Sequence, residues 1–286
     1  MTFLHRRTVL RAAAGGALSG VAGAAVAGCD SERSAAQEAR QRASASAGPS
    51  AGSSAGASRK AAAARASVPP GPPPGPPLLL ARLPSGLPAQ IDHGPRRGRS
   101  VALTFHGRGD ARSATAVLSE AERAGARVTV LAVGDWLDAE PRMARRVLDG
   151  GHELGNHTMR HLNICSMPAK AAYAEITECA DRLRRLTGGI GRWFRPSRAQ
   201  RATDQVVRLA RKAGYPHVLS YDVDSLDFTD PGAEVVRRTV LNAVRPGSVV
   251  SLHFGHAGTV AAMPAILDGL HRRGLRAVTT TELLTR

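Results

Sequence analysis

From Ser100 onward the chain alternates short apolar runs with stretches of helical character, and this rhythm most restricts what it can fold into. V-A-L-T-F at Val101 precedes a helical pattern over Ala111 to Ala124, and V-T-V-L-A-V at Val128 precedes another over Pro141 to Asp149. H-E-L-G-N-H at His152, W-F-R-P at Trp193 and H-V-L-S-Y-D at His217 are separated by helices near Ala169 to Leu186 and Thr203 to Ala213. Ala233 to Val244 reads as helix, S-V-V-S-L-H at Ser248 as a buried strand, Val260 to Arg273 as helix and L-R-A-V at Leu275 as a last strand. Such βα repetition predicts a parallel sheet with helices packed against it. About 187 residues and seven or so units fall short of the ~250 typical of an eightfold barrel, so an incomplete barrel fits better than a full one. In a barrel or an open sheet, functional groups collect at the C-terminal ends of the strands.

The first hundred residues have a different character. A basic start, His5-Arg6-Arg7, leads through small apolar residues from Ala12 to Ala27 into V-A-G-C at Cys29, so residues 1–28 read as an export signal. The apolar stretch, about 16 residues rich in Gly and Ala, is too short and too weakly apolar for a membrane span. R-R-T-V-L-R-A-A-A resembles a twin-arginine signal, an ordinary secretory route fitting nearly as well, and V-A-G-C resembles a lipobox whose cysteine is lipidated. Cys29 is therefore the expected membrane anchor, on the extracytoplasmic face of the cell membrane. Residues 29–98, rich in Ala, Ser, Gly, Arg and Pro, read as a disordered tether stiffened near Pro77 by polyproline II.

The formal charge is +16, and after Gly98 there remain 27 basic against 19 acidic residues. A basic domain on a basic tether outside a membrane is drawn to anionic wall polymers or lipid head groups. Nucleic acid is not an expected partner, because aromatics are only 3% and no helix-turn-helix, zinc-finger or stacking-sheet pattern accompanies the charge. Cys165 and Cys179 stand in an exported chain, and the sequence alone leaves a disulfide and a free pair equally open.

Five strand ends carry chemistry: His106 after V-A-L-T-F, His157 after H-E-L-G-N, Arg195 after W-F, Asp222 and Asp224 after L-S-Y, and His253 after V-V-S-L. His157 and His161 form an H-x-x-x-H pair that, on a helical turn or in a tight loop, aims two imidazoles at one point, a pattern suited to zinc. G-H-E-L-G-N-H-T-x-x-H resembles the second motif of the NodB-homology polysaccharide deacetylases. F-R-P-S at Phe194, D-V-D-S-L-D-F at Asp222 and S-L-H at Ser251 resemble its later motifs, in the same order. The likeness spans Ser100 to Leu284 and covers the expected domain, residues 99–286. It implies a distorted (β/α)7 barrel and metal-dependent removal of N- or O-acetyl groups from cell-wall or extracellular polysaccharide, with a divalent ion, zinc above all.

The first motif departs from the family. Where the family has T-F-D-D, supplying the general base and the third metal ligand, this chain has Thr104-Phe105-His106-Gly107. Three readings follow. His106 serves as a third imidazole ligand beside His157 and His161; or Asp110 folds back through the G-R-G-D turn as base or ligand, and the two can hold together with Asp110 as the base; or neither repair is made, leaving a glycan-binding or metal-binding wall protein. The resemblance further assigns Arg195 to orienting the base and His253 to the general acid. Asp224 or Asp227, with Asp224 preferred, tunes His253, while Phe228 lines the pocket and His256 contacts substrate.

Overall fold

The computed structural model describes residues 82–285. The export signal, Cys29 and most of the tether lie outside them. Among the described residues no helix is long and apolar enough to cross a membrane.

Strand β1 (Gln90–Ile91) opens the fold ahead of Ser100, followed by β2 (Ser100–Gly107), α1 (Ala111–Arg123), β3 (Thr129–Ala132), α2 (Gly134–Ala139), α3 (Arg142–Asp149) and β4 (Glu153–Asn156). The chain continues through α4 (Ala169–Thr187), α5 (Asp204–Lys212), β5 (Val218–Leu219), β6 (Val223–Asp224), α6 (Ala233–Ala243), β7 (Val249–His253), α7 (Ala257–Arg272), β8 (Arg276–Ala277) and α8 (Thr280–Thr285). A parallel ladder runs β4-β3-β2-β7-β6, and β8 pairs with the first residues of β2. Phe194 bridges Asn156 of β4 to Val218 of β5, and β5 pairs with β1. The ladder thus curls from β6 round to β1. Among the described residues no ladder hydrogen bonds join β5 to β6, although an antiparallel bridge from His93 to Ser248 ties the segment after β1 to the start of β7. The result is an α/β fold on a curled parallel sheet whose wall is not closed by hydrogen bonds.

The apolar runs follow from burial on both faces of the sheet. On β2, Val101, Leu103 and Phe105 join the large core beneath the helices, while Ala102 belongs to a second cluster with Leu131, Trp193, Leu219 and Val249. The period of two then places Thr104 and His106 on the same side as Ala102. Cys179 lies in the large core and Cys165 at the edge of another cluster, and both thiols are free.

Glu153 holds the base of the sheet together. Its fully buried carboxylate accepts from Thr129 Oγ1 at 3.1 Å, from Thr281 N at 3.1 Å and from Thr281 Oγ1, joining β4, β3 and α8. Burial raises its pKa against these hydrogen bonds. Because removing the acceptor strands buried donors, Glu153→Ala should cost about 2–3 kcal/mol in chemical denaturation, whereas an exposed control such as Asp149→Ala should stay within about 0.5 kcal/mol.

Candidate metal centre and active site

Three imidazoles meet at the strand ends. His106 comes from β2, and His157 and His161 come from the loop after β4. Asn156 anchors that loop: its side chain donates to Ile176 O (2.9 Å) and Tyr215 Oη (3.0 Å) and accepts from Thr158 N (2.9 Å). Thr158 and His161 both adopt left-handed backbone, at φ 69° and 57°. The H-x-x-x-H pair therefore converges through a tight loop, not a helical turn, and the strain is of the kind that functional loops retain. His161 N donates to Thr158 Oγ1 at 3.2 Å, which helps fix the turn.

The cluster suits a divalent ion. One ligand nitrogen from each of His106, His157 and His161 lies within 4.8 Å of the others, and His106 Nδ1 is 2.7 Å from His157 Nε2. A tetrahedral ion with bonds of about 2.0–2.1 Å needs ligand nitrogens about 3.4 Å apart, so small ring movements would suffice. His161 Nδ1 is buried and has no hydrogen-bond partner. Burial, with the surrounding charges, holds His106 and His157 well below the ordinary histidine pKa and lowers His161 to about 4. Neutral imidazoles are the form a metal requires.

The tautomers follow from the partners. His157 Nδ1 is 3.0 Å from the backbone carbonyl of Arg195, which only accepts, so Nδ1 carries the proton and Nε2 offers a lone pair. Without an ion, His106 Nδ1 must donate to that nitrogen, leaving His106 Nε2 to accept from Ser251 Oγ at 3.0 Å and face Arg195 Nη1 at 3.4 Å. Ligation through His106 Nδ1 reverses this, with the proton moving to Nε2 and Ser251 Oγ becoming the acceptor. Ser251 serves either state, although the sequence marked it only as part of the S-L-H motif.

Arg195 is wholly buried and, among the described residues, forms no ion pair with a carboxylate. Its guanidinium donates to Leu219 O (3.2 Å), Thr104 Oγ1 (2.8 Å) and Ser220 O (3.0 Å), and stands 5.3 Å from the centre of the Tyr221 ring. Burial lowers its pKa to about 10, still charged at neutral pH. Gly107 has no room for a side chain: a Cβ there would lie 2.9 Å from Ala132 Cα and 2.9 Å from Val130 Cγ1. An aspartate at this position would require β2 or β3 to shift, and His106 is the side chain of the first motif that stands beside the other two histidines.

Across the cavity, His253 is the parallel-ladder partner of His106, and the two rings stack at 4.2 Å. Its carboxylate partner is Asp227, not the preferred Asp224. Asp227 Oδ1 lies 2.7 Å from His253 Nδ1, and Oδ2 accepts from His253 N (2.8 Å) and Thr259 Oγ1 (2.6 Å). Although burial opposes it, hydrogen bonds and the charge of His253 hold Asp227 below the ordinary aspartate pKa. Asp224 Oδ1 instead accepts from Leu226 N at 3.1 Å in a short Asx-type turn, and Asp222 is committed to Arg96 at 2.7 Å. The D-x-x-D spacing allowed either choice, and the 3-10 turn at Asp227–Thr229 decided it.

Asp110 is not brought to this cluster. It N-caps α1, its side chain accepting from Ser113 N at 2.8 Å, and it is exposed. A cavity of about 660 Å³ spans the two walls, lined by His106, His161, Tyr221, Phe228, His253 and His256 among others. Phe228 is 48% exposed, placing an aromatic face at the mouth, and His256 Nδ1 is 2.8 Å from Asp230 Oδ1.

Metal analysis checks the ligand set. His106→Ala, His157→Ala and His161→Ala should each abolish stoichiometric zinc or weaken it severely, while Ser251→Ala should weaken it about tenfold or more through lost support of the ligating tautomer. Titration of Ser251→Ala showing wild-type affinity would remove that supporting role.

The described domain has clear relatives. The model of the family described as Polysaccharide deacetylase matches residues 93–218. A peptidoglycan-N-acetylglucosamine deacetylase of Bacillus cereus is 32% identical over 202 residues, covering 66% of this chain and 90% of that protein. Among solved structures, a peptidoglycan N-acetylglucosamine deacetylase aligns with a TM-score of 0.64 at 25% identity, over 68% of this chain and 92% of that one. A family 4 carbohydrate esterase pseudoenzyme from Bacillus anthracis shares the fold, with a TM-score of 0.65 at 24% identity over 69% of each chain. With the site's motifs in order along a matching fold, the chain belongs to the polysaccharide deacetylase family.

Proposed function

We propose that the domain is a zinc-dependent hydrolase removing acetyl groups from N- or O-acetylated cell-wall or extracellular polysaccharide. One observation carries this reading: a neutral three-histidine cluster and an aspartate-held histidine flank one cavity beneath an exposed aromatic ring. A bound divalent ion would polarise the acetyl carbonyl and lower the pKa of water toward about 7. His106, His157 and His161 hold it. His253, with Nδ1 fixed by Asp227, keeps Nε2 for proton transfer.

With Asp110 capping a helix and Gly107 bare, His253 is the group placed to move both protons. Nε2 takes one from the attacking water as the new C–O bond forms. It returns one to the sugar nitrogen or oxygen as the acyl bond breaks, leaving acetate and a free amine or hydroxyl. Phe228 offers a face for the sugar ring.

A second reading rests on a specific observation: neither His106 nor Gly107 supplies a carboxylate, and among the described residues none pairs with Arg195. It makes the domain a wall module that binds glycan or metal without turnover. The two separate on zinc-loaded protein given an N-acetylated oligosaccharide. The hydrolase releases acetate, and His253→Ala keeps zinc but loses about a hundredfold or more of the rate, as for a general acid–base group. Sugar binding with no acetate from the wild type would favour the module.

We propose further that the mature chain begins at a lipidated Cys29 on the outer face of the cell membrane, the tether setting its reach into the wall. Cys29→Ser should then shift the protein from the membrane fraction to the soluble one. Mass spectrometry that finds the native N-terminus elsewhere and unmodified would contradict the anchor.

A further inference from the structure

Two arginines on the cavity wall have no role in the chemistry above. Arg108 and Arg198 both line it and both are exposed. Among the described residues neither guanidinium has a hydrogen-bond or ion-pair partner. Unlike Arg96 with Asp222, Arg146 with Glu122 and Arg182 with Asp138, they stand without a carboxylate, and they do so on the cavity wall.

Their backbones are held firmly. Arg108 N donates to His106 O at 3.0 Å, and the next residue, Gly109 at φ 125°, accepts from Trp136 Nε1 at 2.8 Å. Gly109 also packs so closely on Gly255 that a Cβ on it would lie 2.7 Å from Gly255 Cα. Arg198 sits at φ 54°, a left-handed conformation rarely kept by a residue with a side chain. Before it, Ser197 Oγ donates to Leu162 O at 2.5 Å and receives Thr158 Oγ1 at 3.0 Å. The held main chain sets where the two side chains leave the wall, and an oxyanion entering the cavity would give their guanidinium groups a charged partner.

The cavity's charge agrees. Among the described lining residues Asp224 is the one carboxylate, and it is engaged by Leu226 N. The carboxylates of Asp227 and Asp230 are held by His253 and His256, while Arg195 adds a further buried positive charge below. A neutral sugar would offer the two guanidinium groups no counter-charge beside the reacting centre.

We infer that the glycan accepted here carries an anionic substituent, a carboxylate or phosphate, received by Arg108 and Arg198 while its acetyl group faces the histidines. This rests on the deacetylase reading for the acetyl group, but the anion site itself is tested by binding alone.

The test is calorimetric titration of the zinc-loaded protein with three acetylated oligosaccharides of equal length. One is neutral N-acetylglucosamine oligomer, one bears the lactyl carboxylate of N-acetylmuramic acid, and one bears a sugar phosphate. At least one anionic oligomer should bind about tenfold tighter than the neutral one, and the one that does so identifies the substituent. Arg108→Gln/Arg198→Gln should erase the difference while keeping zinc and Tm, and the exposed Arg97→Gln, before the opposite end of β2, should preserve it. Equal binding of all three overturns the anion site while leaving the deacetylase reading intact, as does a preference that survives in the double variant. Failure of every oligomer to bind overturns both. Anion preference without acetate release upholds the site and sinks the hydrolase.

Discussion

The buried guanidinium of Arg195 is the interaction on which the rest of the site depends. Enclosing a charge without a carboxylate is costly unless its donors are answered, and here they are answered by Thr104 of β2 and the carbonyls of Leu219 and Ser220 at the end of β5. The same residue's backbone carbonyl takes the proton of His157 Nδ1, and its Nη1 faces His106 Nε2. One side chain thus ties β2 to the far side of an incompletely closed wall and orients two candidate ligands. Where no ladder hydrogen bonds join β5 to β6 among the described residues, this polar network still ties the end of β5 to β2 across the interior.

The altered first motif becomes intelligible in these terms. A family member with two aspartates after T-F would present one carboxylate to Arg195 and another to the metal. Here an imidazole on β2 meets both: its Nδ1 lies against His157, and its Nε2 lies between Ser251 and Arg195. The adjacent glycine packs so tightly on β3 that a side chain there would force the strands to shift. The change is therefore one of side chain and packing together, and under the proposed reaction it leaves proton transfer to His253, which Asp227 holds in place.

Much of this was legible in the sequence. The βα rhythm located most strands, because segments buried on both faces must be continuously apolar, and the chemistry at their ends marked His106, His157, Arg195 and His253. The strand over Gln90–Ile91 was missed, since two residues within a Pro- and Gly-rich segment carry no periodic signal. Asp110 was read as a possible base because a glycine turn could bring it inward. Its position three residues before Ser113 was equally the mark of a helix cap, and the helix took it. Asp224 and Asp227 were indistinguishable by spacing, because the left-handed Leu226 that turns Asp227 toward His253 leaves no trace in residue type. Arg108 and Arg198 carried no signal among so many arginines; their place on the cavity wall shows only in three dimensions.

X-ray absorption at the zinc edge of the loaded protein addresses the replacement of a carboxylate ligand by His106 most directly. The account predicts three imidazole nitrogens at about 2.0–2.1 Å in the wild type and two in any residual zinc-bound His106→Ala. An unchanged imidazole count in His106→Ala, or a wild-type site with only two imidazoles, would contradict it.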